Sequence, residues 1–523
     1  MYFDIATQRL KCEYCGRDMN VPDYDENNSA SQDGEDMNVY LCRNCGARLY
    51  AVTPAATAFC PYCGGEQVME GKLARYQRPR NIIPFKLTKK ECKDAYKKFI
   101  VYRPFVAKEL KSQEFIDKFR GIYMPYWQFD MSFDHPDQTF KGSSSQQDGN
   151  YVIEKTYDLG VQLNEAPDVP YDASSNFDDS FASQIVPFRE KDICEYHPGY
   201  LAGFYADGAD VDSEVYAKEA VSSITTKAAK SITDAFAKEE IRVEMPPSDK
   251  LAESFGTRIK DKRLMLFPVW FLTWRKKDRV AYITVNGDTG RIASDLPVSY
   301  GSFILCSLEL AAVVFGLMTL YVSMTAPTAL MFSMAMTSFA LYLYRWQMVQ
   351  IHDRENHVFD RGYFIEGRKS DMSLHMAEDI RKQRLHLGNE AVILMPIALI
   401  AISILITMYI MSYGMPVTKA KISSFLIVPF ALYNVVPTLK LARHAREKSL
   451  IFETLVGFAG IGMGFVLLLL EAFEDWQYYL ATILCLCAMA VTVIGLIRKI
   501  NRLATRPMPT FFDREGGDDS EKE

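Results

Sequence analysis

A multidomain chain is predicted: small cysteine-knuckle units first, then a duplicated α+β cytosolic domain, then an all-α polytopic membrane domain of about six helices. Three observations predict it. Six of the eleven cysteines lie in the first 63 residues as C-x-x-C pairs. Two blocks between residues 80 and 300 repeat one order of motifs, and long apolar runs crowd the chain after residue 302. At 523 residues the chain exceeds one ordinary domain. Its mean hydropathy of −0.08 therefore averages unlike halves. A net charge of −6 gives no global attraction to nucleic acid.

The knuckles come first. Cys42-Arg-Asn-Cys45-Gly and Cys60-Pro-Tyr-Cys63-Gly are separated by fourteen residues, the spacing of a zinc ribbon. The glycine after each second cysteine permits the positive φ that turns backbone N–H groups toward thiolate sulfur. Four thiolates close a tetrahedral Zn2+ shell and leave no position for a catalytic water. The alternative, a redox C-x-x-C, usually stands alone at a helix start. Cys12-Glu-Tyr-Cys15-Gly is a third knuckle, preceded by two short strands around a polar turn (residues 2–11). It reads as the second half of a ribbon whose first knuckle would precede Met1. If it is complete as it stands, Cys12 and Cys15 are either vacant or share a metal across a dimer. Residues 23–38 are polar and read as a flexible connector.

In the middle, Ile82-Ile-Pro-Phe85 leads through a helical stretch (88–100) to Ile122-Tyr-Met-Pro-Tyr-Trp127. Ile185-Val-Pro-Phe188 leads through a second helical stretch (215–240) to Met265-Leu-Phe-Pro-Val-Trp270. This order suggests a duplicated α+β unit over residues 80–300. Alternating apolar residues around Asn286-Gly-Asp-Thr-Gly290 signal a hairpin. The tryptophans and tyrosines fit core packing better than a ligand surface.

Runs 302–324, 327–344, 391–413, 422–439, 454–470 and 478–497 approach the roughly 20 residues that cross a bilayer. Sixteen basic residues flank the ends expected in the cytosol, against two (Lys419 and Lys421) on the other side. Both termini are therefore expected in the cytosol, and no secretory signal opens the chain. Residues 345–390 form a charged cytosolic segment with a predicted helix over 371–387. Its cations face membrane lipids or only solvent. The tail, 499–523, ends in an acidic run. Glu309 is the acid deepest in a span, which raises transport as an alternative function. Glycines 457, 460, 462 and 464 predict close helix packing.

No Walker A loop, nucleophile elbow, H-E-x-x-H or dinucleotide fingerprint is found, so no enzyme is expected. In residues 1–63 acids outnumber the cations Arg9, Lys11, Arg17, Arg43 and Arg48, which disfavours a nucleic-acid ribbon.

The knuckles, the segment Ile82-Ile-Pro-Phe-Lys-Leu-Thr-Lys-Lys-Glu91, Phe119-Arg-Gly-Ile-Tyr-Met-Pro-Tyr-Trp127 and Phe267-Pro-Val-Trp270 together carry a resemblance. Over about residues 1–345 the chain resembles the bacterial membrane-anchored TFIIB-type zinc-ribbon-containing proteins. The resemblance implies Zn2+ on Cys42, Cys45, Cys60 and Cys63. It also implies a bacterial plasma-membrane adaptor or sensor partnering SPFH-type or phage-shock-type membrane proteins. The departure is the missing first knuckle, which leaves Cys12 and Cys15 as candidate metal ligands without partners. The expected organisation is thus a partial ribbon half (1–22), connector (23–38), ribbon (39–70), α+β domain (80–300), transmembrane hairpin (302–344), charged segment (345–390), four further transmembrane helices (391–498) and tail (499–523).

Overall fold

The computed structural model describes residues 1–25, 35–52, 60–65, 68–148, 151–163, 166–321, 325–355, 416–444, 448–471 and 474–509. Strands β1 (Tyr2–Asp4), β2 (Arg9–Lys11) and β3 (Asp18–Met19) form a small antiparallel sheet. Tyr2 pairs with Lys11 across the predicted polar turn. Helix α1 (Val21–Asp25) follows and runs across the start of the expected connector at residue 23. Phe3, Leu10 and Val21 bury themselves against Ala202, so this unit is seated on the middle of the chain.

Strands β4 (Glu35–Cys42), β5 (Arg48–Ala51) and β6 (Val68–Tyr76) flank the Cys42–Cys45 and Cys60–Cys63 knuckles, with β4 paired to both others. After them come β7 (Asn81–Ile82) and α2 (Lys89–Val101), the latter started by a Thr88/Glu91 capping box. Next are α3 (Gln113–Ile116), β8 (Arg120–Phe133), β9 (Asp137–Asp148), β10 (Tyr151–Gln162), β11 (Ala166–Asp172) and α4 (Asp179–Ile185). The region ends with β12 (Cys194–Glu195), β13 (Tyr205–Ala206), α5 (Glu214–Ala237), β14 (Arg242–Val243), α6 (Leu251–Phe255), β15 (Thr257–Lys276), β16 (Arg279–Asn286) and β17 (Ile292–Ser294).

The register of this mixed α/β region is symmetric. β8 and β15 run antiparallel, with Met124 opposite Phe267, Pro125 opposite Leu266 and Pro268 opposite Tyr123. On the far edge of β15, Asn81 and Ile82 pair parallel with Met265 and Leu266. On the far edge of β8, Tyr205 and Ala206 pair parallel with Ile122 and Tyr123. Each short strand then leads to a helix, α2 or α5. The positional counterpart of Ile82 is therefore Ala206, not Ile185 as the motif order suggests. Ile185 and Pro187 instead receive the Asn286 Nδ2 amide through their carbonyls. That asparagine also turns the predicted β16–β17 hairpin, where its Oδ1 accepts from the Asp288 and Thr289 amides at 2.8 Å. Inside this turn a Cβ on Gly287 would lie 2.6 Å from Phe85 and 2.9 Å from Pro268. Gly287→Ala should cost about 1–3 kcal/mol in chemical denaturation.

Helices α7 (Tyr300–Tyr321), α8 (Ala326–Glu355), α9 (Pro416–His444), α10 (Lys448–Leu470) and α11 (Asp475–Leu503) follow. Three spans among the described residues are long and apolar enough to cross a membrane, rather than six: Ala326–His352, Lys448–Leu470 and Asp475–Leu503. The run 302–324 begins in α7, whose Tyr300–Val313 part is an apolar helix; its end, 322–324, lies outside the described residues. The run 422–439 lies in α9, which carries Lys419, Lys421, Lys440, Pro429 and Pro437 and is not among these three. The run 391–413 and the predicted helix 371–387 lie outside the described residues. Three of the four glycines of α10 meet neighbours closely: a Cβ on Gly457 would come within 2.9 Å of Thr492, one on Gly460 within 2.9 Å of Ala488 and one on Gly464 within 2.8 Å of Met334, whereas Gly462 faces open space.

The chain after α11 departs from the predicted tail. Arg506 and Pro507 form β18, which adds to β16.

Candidate metal centre

The three knuckles share one backbone design. Cys42 N–H donates to the Ala47 carbonyl (2.9 Å) and Gly46 N–H to the Cys42 carbonyl (2.8 Å). Cys60 with Gly65 and Gly64, and Cys12 with Arg17 and Gly16, repeat this pair of bonds. Gly46, Gly64 and Gly16 have φ of 81°, 66° and 69°, the left-handed region in which a side chain is strained. The cysteine–glycine spacing thus works locally, in all three places.

Two of the knuckles converge. The sulfurs of Cys42, Cys45, Cys60 and Cys63 all lie within 4.8 Å of one another, and all four residues are buried. Cys42 to Cys63 is 3.6 Å and Cys45 to Cys60 is 3.7 Å. A tetrahedron with metal–sulfur bonds of ~2.3 Å has edges of about 3.8 Å, so these residues fit a metal ion such as zinc. Asn44 Nδ2 (3.2 Å) and Gly65 N–H (3.3 Å) donate to Cys63 Sγ, the outer contacts that support a ligating thiolate. Hydrogen bonding with Cys42 holds the Cys63 thiol well below its ordinary range, and with Cys45 brings Cys42 down to about 7. Hydrogen bonding with Cys42, together with burial, pushes Cys45 and Cys60 up. Ligation deprotonates all four, and four buried thiolates need a cation among them.

The centre is not on a separate ribbon. Its cysteines share one core with Ile122, Met124, Phe267, Phe271 and Tyr282 of the central sheet. Tyr282 donates to the Tyr62 carbonyl at 2.8 Å, and Thr273 donates to the Pro61 carbonyl. Tyr62, inside the Cys60–Cys63 knuckle, donates at 2.5 Å to the buried Asp207, which also accepts from Ser174, Asn176 and the Gly208 amide. The expected boundary between a 39–70 ribbon and an 80–300 domain does not appear in the packing. Sequence reasoning missed Asp207, since nothing in Tyr-Ala-Asp-Gly predicts burial.

Burial pushes the Asp207 carboxyl up to about 6, from an ordinary 3.8. A raised carboxyl favours the folded chain while protonated, so its contribution is full below the unfolded value and is lost as pH rises through 6. Asp207→Asn should therefore gain about 1 kcal/mol relative to the unsubstituted chain between roughly pH 5.5 and 7.5. Denaturation midpoints across that range check it, and a constant difference would refute it.

The third knuckle stands apart. Cys12 is half-buried and Cys15 exposed, and no further thiol, imidazole or carboxylate completes a cluster with them among the described residues. Amide hydrogen bonds from Cys15 and Tyr14 hold the Cys12 thiol below its ordinary range. Of the predicted ligands, the structure brings together Cys42, Cys45, Cys60 and Cys63 and leaves Cys12 and Cys15 as a pair. Glu309 lies on an exposed face of α7. Among the described residues, the buried acid of the helical region is instead Glu453 of α10, which accepts from the Tyr344 hydroxyl. It sits one residue before an apolar run and escaped notice for that reason.

No family model matches the chain, and no solved structure matches it. A protein of Bacillus subtilis (strain 168) described as uncharacterized protein YdjG is 26% identical over 309 residues. The match covers 58% of this chain and 88% of that protein. It is a distant homology.

Proposed function

We propose that this chain is a zinc-binding integral protein of the bacterial plasma membrane, with both termini in the cytosol. We read it as a non-enzymatic adaptor or sensor that holds cytosolic partners at the bilayer in envelope stress. The observation that carries the reading is the closed, buried Cys42/Cys45/Cys60/Cys63 centre, which has the ligand count of a structural site. Bound zinc supplies charge neutralisation and a cross-link between the two knuckles. The chain's own residues then hold Tyr62 against Asp207 and pin β4–β6 to the central sheet. The unit so braced presents the docking surface, and the apolar helices are its anchor. SPFH-type and phage-shock-type membrane proteins are the expected partners, as resemblance to the TFIIB-type zinc-ribbon membrane proteins suggests.

Crosslinking in intact cells, followed by purification under denaturing conditions, tests the reading. A membrane-stress protein attached to the unsubstituted chain and lost in Cys63→Ser is expected. Recovery of nucleic acid, or of no protein at all, would refute the adaptor. Transport gains nothing from the exposed position of Glu309.

A further inference from the structure

Helix α2 ends in a surface that the adaptor reading does not use. Val101 is 69% exposed and Tyr102 85%, unusual for large apolar side chains at a helix end. The loop is not loose. Tyr96, Ile100 and Leu110 are buried beneath it, and the Arg103 guanidinium lies 3.5 Å over the Phe99 ring. Beyond it, Val106 bridges to Val298, and Ser299 N–H donates to the Phe105 carbonyl at 2.7 Å. The Phe105 ring sits 5.5 Å from that of Phe303, in the first turn of α7. Asn501, near the end of α11, holds the Val298 backbone at both its amide and its carbonyl (2.6 and 3.0 Å). The aromatic loop is thus fixed where one apolar helix begins and another ends.

Four lysines flank it, with the exposed Glu109 among them. Lys97 and Lys98 are exposed in the last turns of α2, and Lys108 and Lys111 are exposed just after the loop. Arg498 and Arg502 mark the same end of α11. Aromatic side chains with lysines around them, at the mouth of membrane-entering helices, match the headgroup layer in both polarity and charge.

We propose that the 101–105 loop and the lysines 97, 98, 108 and 111 form a peripheral contact with the anionic cytosolic leaflet of the bilayer that the helices cross. Val101 and Tyr102 enter the interfacial layer, and the ammonium groups meet lipid phosphates. The contact fixes the orientation of the metal-bearing domain on the membrane. The proposal rests on α7 and α11 entering the bilayer.

The test places benzoylphenylalanine at position 102 of the full-length chain, reconstituted in nanodiscs of phosphatidylcholine with or without phosphatidylglycerol. Irradiation should give a lipid adduct at 102 in the anionic discs, several-fold weaker in phosphatidylcholine alone. The combined substitution Lys97→Gln, Lys98→Gln, Lys108→Gln and Lys111→Gln should reduce it similarly while metal content stays unchanged. Equal yields in the two bilayers, no lipid adduct, or an adduct to a second protein chain would each overturn the proposal. Failure of the chain to enter the discs at all would overturn the spanning reading, and this contact with it.

Discussion

Cys63→Ser should strip the chain of its bound metal, from about one zinc per chain to near zero, and lower its stability by at least several kcal/mol. Zinc in small structural sites contributes on the order of 10–16 kcal/mol at neutral pH, more than the whole net stability of most domains. Here the centre sits inside a shared core, so the loss extends past the knuckles. β5 reaches the central sheet through the single pair Tyr50–Ala206, and Tyr62 is the other principal tie. Without the metal cross-link both ties lose their support, and Asn44 and the Gly65 amide lose the thiolate they face. Metal analysis of the purified chain and chemical denaturation check the two halves of the expectation. Cys12→Ser and Cys15→Ser provide the contrast, because the third knuckle has its turn but no second pair. They should leave metal content unchanged. A Cys63→Ser chain that keeps its zinc would sink the assignment.

What was legible in the sequence follows the range of the interactions. Each knuckle is a local device of six residues, and all three fold as their cysteines and glycines require. The Tyr2–Lys11 hairpin, helix α2 and the Asn286 turn are local too, and each appears where its pattern places it. Partnership between distant segments was not legible. The order of motifs equated Ile185 with Ile82, yet the register puts Ala206 in the matching position, because pairing is decided by how β8 and β15 meet. Hydropathy marked 422–439 as a span, and the helix that forms is longer, from Pro416 to His444. Arg506 looked like one more cation flanking a span. Nothing near it in sequence announces that Asp178 and Asp295 await it.

Arg506→Ala should be the most destabilising change outside the metal centre, by about 3–5 kcal/mol, because it leaves buried carboxylates short of a partner. The guanidinium reaches Asp178 at 2.8 Å and Asp295 at 3.2 Å, and lies 4.8 Å from the Phe181 ring centre and 5.6 Å from that of Tyr282. Burial alone would lower its pKa, but the two aspartates outweigh it and hold the charge. Asp295 is shared: Arg354, in the last turn of α8, meets both its oxygens at 2.7 and 2.9 Å. One carboxylate therefore joins the end of α8, the strand after α11 and the central sheet. Arg506→Lys should recover only part of the loss, since an ammonium group cannot fork between two carboxylates. Met508, just beyond that strand, places its sulfur 3.6 Å from the Asn44 amide nitrogen that donates to Cys63. Loss of Arg506 should thus make zinc easier to remove, although no ligand has changed. Denaturation in detergent and the rate of zinc loss to a chelator measure the two effects. A double-mutant cycle with Asp178→Asn should give a coupling above about 1 kcal/mol. Additive effects, with chelation at the unsubstituted rate, would mean that the helical region and the metal centre are merely adjacent.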